Sequence, residues 1–169
     1  MAFAVSLASC GLFGGNGGDP SGKKTDGAPV GDQDGGITVG GYTVRLTKEL
    51  SHGDMHFSAP EKAELSGFDQ AFNIYYPVDE GMLFIMHLVY FKGQGVDEVL
   101  SGSENNVSDK TVGGVVYRCF EYEENGTPGR TYLYFFDGTT YTISFASSFD
   151  TALLEEAFLS GVRFEKSAG

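Results

Sequence analysis

Hydrophobic and polar positions alternate along most of the chain from Tyr42 onward, which is the signature of strands with one covered face. Tyr42-Thr43-Val44-Arg45-Leu46-Thr47 gives the first strand. Ser51-His52-Gly53-Asp54 turns the chain into Met55-His56-Phe57-Ser58, and Pro60 stops that strand. Glu61-Lys62-Ala63-Glu64-Leu65 is polar and predicts a partly helical stretch, followed by a strand over Phe72-Asn73-Ile74-Tyr75-Tyr76. The run MLFIMHLVYF, Met82 to Phe91, is apolar on both alternations apart from His87 and so predicts an interior strand covered on both sides. Val96 to Leu100 predicts a short helix or turn, and Ser101 to Lys110 a polar loop. Three strands then form a meander: Val115–Tyr122, Arg130–Phe136 and Thr139–Ser147. Asp137-Gly138 between the last two is a strong two-residue hairpin signal. Asp150 caps a helix whose buried stripe is Leu153, Leu154, Ala157 and Phe158, and Val162-Arg163-Phe164 closes the chain as a short strand. The pattern predicts an α+β fold: an antiparallel sheet of about six or seven strands with helices packed on it.

Before Tyr42 the pattern is of another kind. Residues 11–41 hold twelve Gly, scattered Asp and few apolar positions, the composition of a flexible tether. Ahead of it stands Leu7-Ala8-Ser9-Cys10. This run resembles the cleavage box of bacterial lipoproteins, in which Leu and two small residues precede the Cys that takes a diacylglyceryl group. The resemblance implies a signal peptide over residues 1–9, lipid attachment and mature start at Cys10, and a tether over 10–41. A signal peptide normally carries a basic n-region and a longer apolar run. Residues 1–8 have no Lys or Arg, so the n-region of such a leader is expected upstream.

A second resemblance follows from the body of the chain. Phe57-Ser58-Ala59-Pro60 comes after an opening hairpin, and the chain closes with Gly138, Tyr141, Ile143 and Phe145 in a G-x-x-Y-x-I-x-F pattern, a helix and V-R-F. Residues 42–166 are in this respect similar to the PsbP-like family of α/β/α sandwiches, although Glu61-Lys62-Ala63 stand where that family often has an aromatic residue. The resemblance implies a fold and a habit of binding partners, with no shared catalytic centre.

Composition narrows the function classes. Hydrophobic residues make up 41% of the chain and aromatics 14%, enough for a real core, and the net charge of −12 disfavours nucleic acid and anionic headgroups as direct ligands. With two Cys, of which Cys10 is explained by lipid attachment, no disulfide framework is expected.

Candidate chemistry is sparse. His52, Asp54 and His56 place two imidazoles and a carboxylate within five residues and are the one candidate metal set, against a reading as ordinary polar turn residues. Asp26, Asp32 and Asp34 lack the Glu that a calcium loop requires beyond its Gly. Glu121, Glu123 and Glu124 at a strand end suit acid–base work only if they face one another in a pocket. Cys119 and His87 sit among apolar residues and read as core. Tyr132, Tyr134 and Phe136 share one strand face and form either core or an aromatic docking surface. No catalytic residues and no cofactor are assigned. The expectation is therefore a non-enzymatic binding or scaffolding lipoprotein of the bacterial cell envelope, outside the cytoplasm. It would be held to the membrane through lipid on Cys10, with an envelope protein or small ligand as partner and no nucleic acid. The alternatives are an envelope hydrolase or metal-dependent enzyme, and a solute-binding accessory to a transporter.

Overall fold

The computed structural model describes residues 35–79, 81–101 and 107–166. Leu7, Ala8, Ser9 and Cys10, with the tether as far as residue 34, lie outside the described residues. In chain order the elements are β1 (Ile37–Val39), β2 (Tyr42–Val44), β3 (Leu46–His52), β4 (Met55–Pro60), β5 (Glu64–Phe68), β6 (Ala71–Val78) and β7 (Gly81–Lys92). Then come α1 (Val96–Leu100), β8 (Ser108–Val112), β9 (Val115–Glu124), β10 (Thr127–Phe136), β11 (Thr139–Ala146), α2 (Ala152–Gly161) and β12 (Arg163–Phe164).

The strands form a seven-stranded antiparallel sheet in the order β5-β6-β7-β11-β10-β9-β8, a three-stranded sheet β12-β4-β3 and a β1-β2 ribbon. Two-residue turns set the register of the long hairpins. Asn125-Gly126 and Asp137-Gly138 all have positive φ, the backbone that matches strand twist in such turns. The run Met82–Phe91 lies in β7, interior to the large sheet between β6 and β11.

The expected α+β class is corrected here. Strands hold 63% of the described residues and helices 12%. The large sheet is not roofed by helices as in an α/β/α sandwich. Its inner face carries Ile74, Met86, Leu88, Tyr117, Tyr132, Tyr141, Ile143 and Phe145, all buried. That face is closed jointly by the small sheet, through Met55 and Phe57, and by α2, through Leu154 and Phe158. The ring of Phe57 lies 6.0 Å from Phe72 of the large sheet and 5.5 Å from Phe158 of α2, so one side chain joins three elements. On the outer face α1 supplies only the buried Leu100, near β10.

Three strands fall where the sequence pattern predicts none, which is why the fold is more β-rich than expected. β5 replaces part of the predicted helical stretch, β8 replaces the end of the polar loop, and β1 lies within the predicted tether. β5 and β8 are the two edges of the large sheet, and edge strands carry polar and charged residues that hide the alternation. Val39 of β1 is nonetheless buried, so the folded body begins ahead of Tyr42.

In α2 the buried stripe is Leu154, Glu155, Phe158 and Leu159, whereas Leu153 is 51% exposed. The helix is therefore turned from its expected orientation so that a carboxylate faces inward. The helix is capped at Thr151, one residue past the expected Asp150, whose carboxylate accepts from the Ala152 backbone N–H at 3.0 Å.

Candidate functional site

The inward turn of α2 builds a polar corner where the helix start meets β8, β9 and β10. Antiparallel register puts Ser108, Cys119 and Tyr132 side by side, with Lys110 beside Tyr117 and Glu121 beside Arg130. All face the inner side of the sheet by strand alternation. Arg130 thus shares a face with Tyr132, Tyr134 and Phe136, and an arginine on an aromatic face requires a counter-charge.

Glu155 supplies it. Its Oε2 accepts from Arg130 Nη1 at 2.9 Å and from the Tyr132 hydroxyl at 2.5 Å. Its Oε1 accepts from the Thr151 hydroxyl at 2.6 Å. The carboxylate side chain is 4% exposed, so this is a buried charge with three donors around it. The other edge of the guanidinium, Nε and Nη2, donates to Glu121 Oε1 at 3.2 and 2.7 Å. Burial works against the Arg130 charge, but its bonds to Glu121 and Tyr132 and the field of Glu155 outweigh it and hold the guanidinium above its ordinary pKa. Burial, reinforced by the hydrogen bond to Glu155, pushes the Tyr132 phenol up, so it stays a donor. Lys110 Nζ donates to the Tyr132 hydroxyl at 3.2 Å and lies 5.4 Å from the centre of its ring.

Two depressions flank this cluster. One, of about 460 Å³, is lined by Ser108, Lys110, Cys119, Phe120, Glu121 and Arg130. The other, of about 560 Å³, lies toward the α2 start and has Glu121, Glu123, Asp150 and Glu155 with Arg130 on its walls. The first is balanced toward cations, the second toward carboxylates.

Of the sequence-predicted residues, Tyr132, Glu121 and Cys119 fall at this corner, whereas the candidate metal set lies elsewhere. Two-residue pairing in the β3–β4 turn sets His52 opposite Met55 and His56 opposite Ser51, so the two imidazoles point to opposite faces of the hairpin. His52 Nε2 donates to the Gln70 carbonyl at 2.9 Å, and His56 Nδ1 is hydrogen-bonded to Ser51 Oγ at 2.8 Å. Asp54 lies in the turn, where its backbone N–H donates to the Tyr141 hydroxyl at 3.0 Å. The three do not converge, and among the described residues no group of three His, Cys, Asp or Glu is placed to hold a metal ion.

Tyr132, Tyr134 and Phe136 belong to the covered face. Tyr132 is fully buried, and Phe164 of β12 stacks over the other two, with ring centres 4.6 Å from Tyr134 and 5.7 Å from Phe136. They are core rather than a docking surface. Cys119 lies on this inner face, whereas His87 pairs with Asn73 and Ser144 on the outer one. The two cannot form a nucleophile–base pair, and burial pushes the Cys119 thiol up, away from the thiolate.

The outer face is half-exposed and apolar around a polar row. Asn73, His87, Ser144 and Thr131 are adjacent in register. Thr131 and Ser144 hydroxyls bond at 2.9 Å, and Asn73 Oδ1 is buried with no hydrogen-bond partner among the described residues. Val116 and Phe135 on the same face are 55% and 49% exposed.

The histidines give the fold a testable acid response. Burial lowers the pKa of His52, against the pull of the Gln70 carbonyl, and burial with the nearby His52 charge lowers that of His87. Both start from 6.5 in the unfolded chain, so below that pH the unfolded state takes up protons that the folded state refuses. Stability is expected to be full well above pH 6.5 and to decline as pH falls through and below it, ahead of carboxylate titration. Urea midpoints across that window are the measurement. The double variant His52→Gln, His87→Gln should flatten the slope, and an unchanged slope would rule out these two groups as its source.

Arg130 and Glu155, the centre of the corner, carried no weight in the sequence pattern. The available signal was Arg130 itself, a charge in step with three aromatic residues, and Thr151 one helical turn before Glu155.

Comparison with known proteins adds the fold alone. No family model matches the chain, and no curated protein matches it. A crystal structure of a Bacteroides thetaiotaomicron VPI-5482 protein is similar over 72% of this chain and 50% of that one, with a TM-score of 0.55 and 15% identity. The chain thus spans about half the length of that solved structure.

Proposed function

We propose that this protein is a lipid-anchored module on the outer side of a bacterial membrane and that it works by binding rather than by catalysis. The Leu7-Ala8-Ser9-Cys10 box and the Gly-rich segment behind it support the anchor and the leash. The observation that carries the binding reading is the polar corner. A buried Glu155 with three donors on it fixes Arg130 and Tyr132 in place beside an open depression. Such a carboxylate is a positioning group rather than an acid or base with capacity to spare, and preorganised polar groups at a concave surface are what a small-ligand site requires.

The anchor is tested by replacing Cys10 with Ser in the producing bacterium and separating membrane from soluble fractions. The wild-type chain is expected in the membrane fraction and the variant outside it. A variant that stays with the membrane would overturn the anchor.

A further inference from the structure

The two edges of the Arg130 guanidinium are held very differently. Nη1 is fixed by the buried Glu155, which is itself saturated by Tyr132 and Thr151. Nε and Nη2 are held only by Glu121, whose side chain is 72% exposed. An ion pair to an exposed carboxylate is weak, because water and salt compete for both partners. The planar fork, however, fits any carboxylate, and Glu121 occupies it with one oxygen, Oε1.

The second cation of this corner is Lys110 of β8. Its ammonium uses one donor on the Tyr132 hydroxyl, and it forms no ion pair with any carboxylate of the described residues. Ser108, Lys110 and Arg130 line the same depression of about 460 Å³, which is of small-ligand size. In a chain of net charge −12 this is a place where two cations meet one replaceable carboxylate.

We infer that this depression binds the carboxylate of a small molecule, which takes the Arg130 Nε/Nη2 fork in place of Glu121 and pairs with Lys110. The inference rests on the binding reading above and gives its ligand class. Glu121 then acts as an internal stand-in that keeps the fork oriented in the empty site and swings into water when ligand arrives. No covalent step is involved. The neighbouring depression does not compete for the ligand, since its walls carry Glu121, Glu123, Asp150 and Glu155 against one arginine.

The test is calorimetric titration of the purified full-length chain with acetate, succinate and inorganic phosphate at low ionic strength. Saturable binding of succinate or acetate is expected. Glu121→Gln removes the internal competitor and should tighten succinate about threefold to fivefold. Lys110→Gln should weaken it about tenfold. Both side chains reach the surface, and thermal melts of the two variants check that the fold is retained. Absence of binding by both the wild type and Glu121→Gln would overturn the site. Succinate affinity unchanged in both variants would overturn its location, and phosphate binding tighter than either carboxylate would overturn the ligand class. The titration reads the purified chain wherever it lives in the cell, so its failure is separate from a failure of the Cys10 anchor.

Discussion

Replacing Glu155 with Ala is expected to lower the free energy of unfolding by about 3–5 kcal/mol, the usual cost of removing one partner from a buried ion pair. The reason lies in how many groups depend on this one side chain. Its loss leaves the Tyr132 and Thr151 hydroxyl protons without their acceptor inside the fold and takes one of the two carboxylates from Arg130. Arg130 is 29% exposed and Glu155 4%, so solvent can relieve the arginine only in part. Glu155→Gln keeps the shape and one acceptor oxygen, and should cost about 1–3 kcal/mol. Urea denaturation of both variants at neutral pH reads the difference. If Glu155→Ala costs under about 1 kcal/mol, the corner is not a preorganised cluster, and the binding site argued from it loses its support.

The second large effect is expected at Phe57. Phe57→Ala should also cost about 3–5 kcal/mol, the range for deleting a buried aromatic side chain, with a cavity left behind. Phe57 is fully buried and belongs to the small sheet, yet its ring packs against Phe72 of the large sheet and Phe158 of the helix. Phe158 in turn meets Phe145 edge-on at 5.7 Å, and Phe145 meets Tyr132 at 6.1 Å. The cavity would therefore open where the two sheets join, two rings removed from Tyr132 of the polar corner. Chemical denaturation gives the magnitude. Near-UV circular dichroism should lose intensity as the tyrosine packing loosens, and a loss below about 1 kcal/mol would show that the sheets are held together elsewhere.

The chain declares some of this structure openly. The meander of β9, β10 and β11 is legible because Asp137-Gly138 can hardly be anything but a hairpin turn and because Tyr141, Ile143 and Phe145 alternate with polar residues. The interior position of β7 is legible because ten nearly uninterrupted apolar residues have nowhere else to go. The edges are not legible. Glu64-Leu65-Ser66-Gly67-Phe68 pairs on one side only, and its pattern burden is correspondingly slight. The polar corner is hidden for a different reason. Apolar residues at 153, 154, 157, 158 and 159 allow two helix orientations. What selects the one with Glu155 inside is an arginine and a tyrosine brought in from β10 and a hydroxyl from Thr151. Periodicity weighs a glutamate as a surface residue, whereas the fold weighs it with its partners. The His52–His56 pairing failed on register: a two-residue turn decides which side chains share a face, and spacing alone does not carry that information.

The strand order of the large sheet has a consequence for how the chain reaches this state. β5, β6 and β7 are neighbours in sequence, as are β8, β9, β10 and β11, so each group can zip from its own tight turns. A single pairing, β7 with β11, welds the two, and it brings together segments separated by α1 and three strands. Closing that loop carries the largest chain-entropy cost in the sheet, and topologies with such distant pairings form slowly. The slow step of folding is therefore expected at the seam from Ile85–Ala146 to Lys92–Thr139, after the two hairpin stacks on either side have formed.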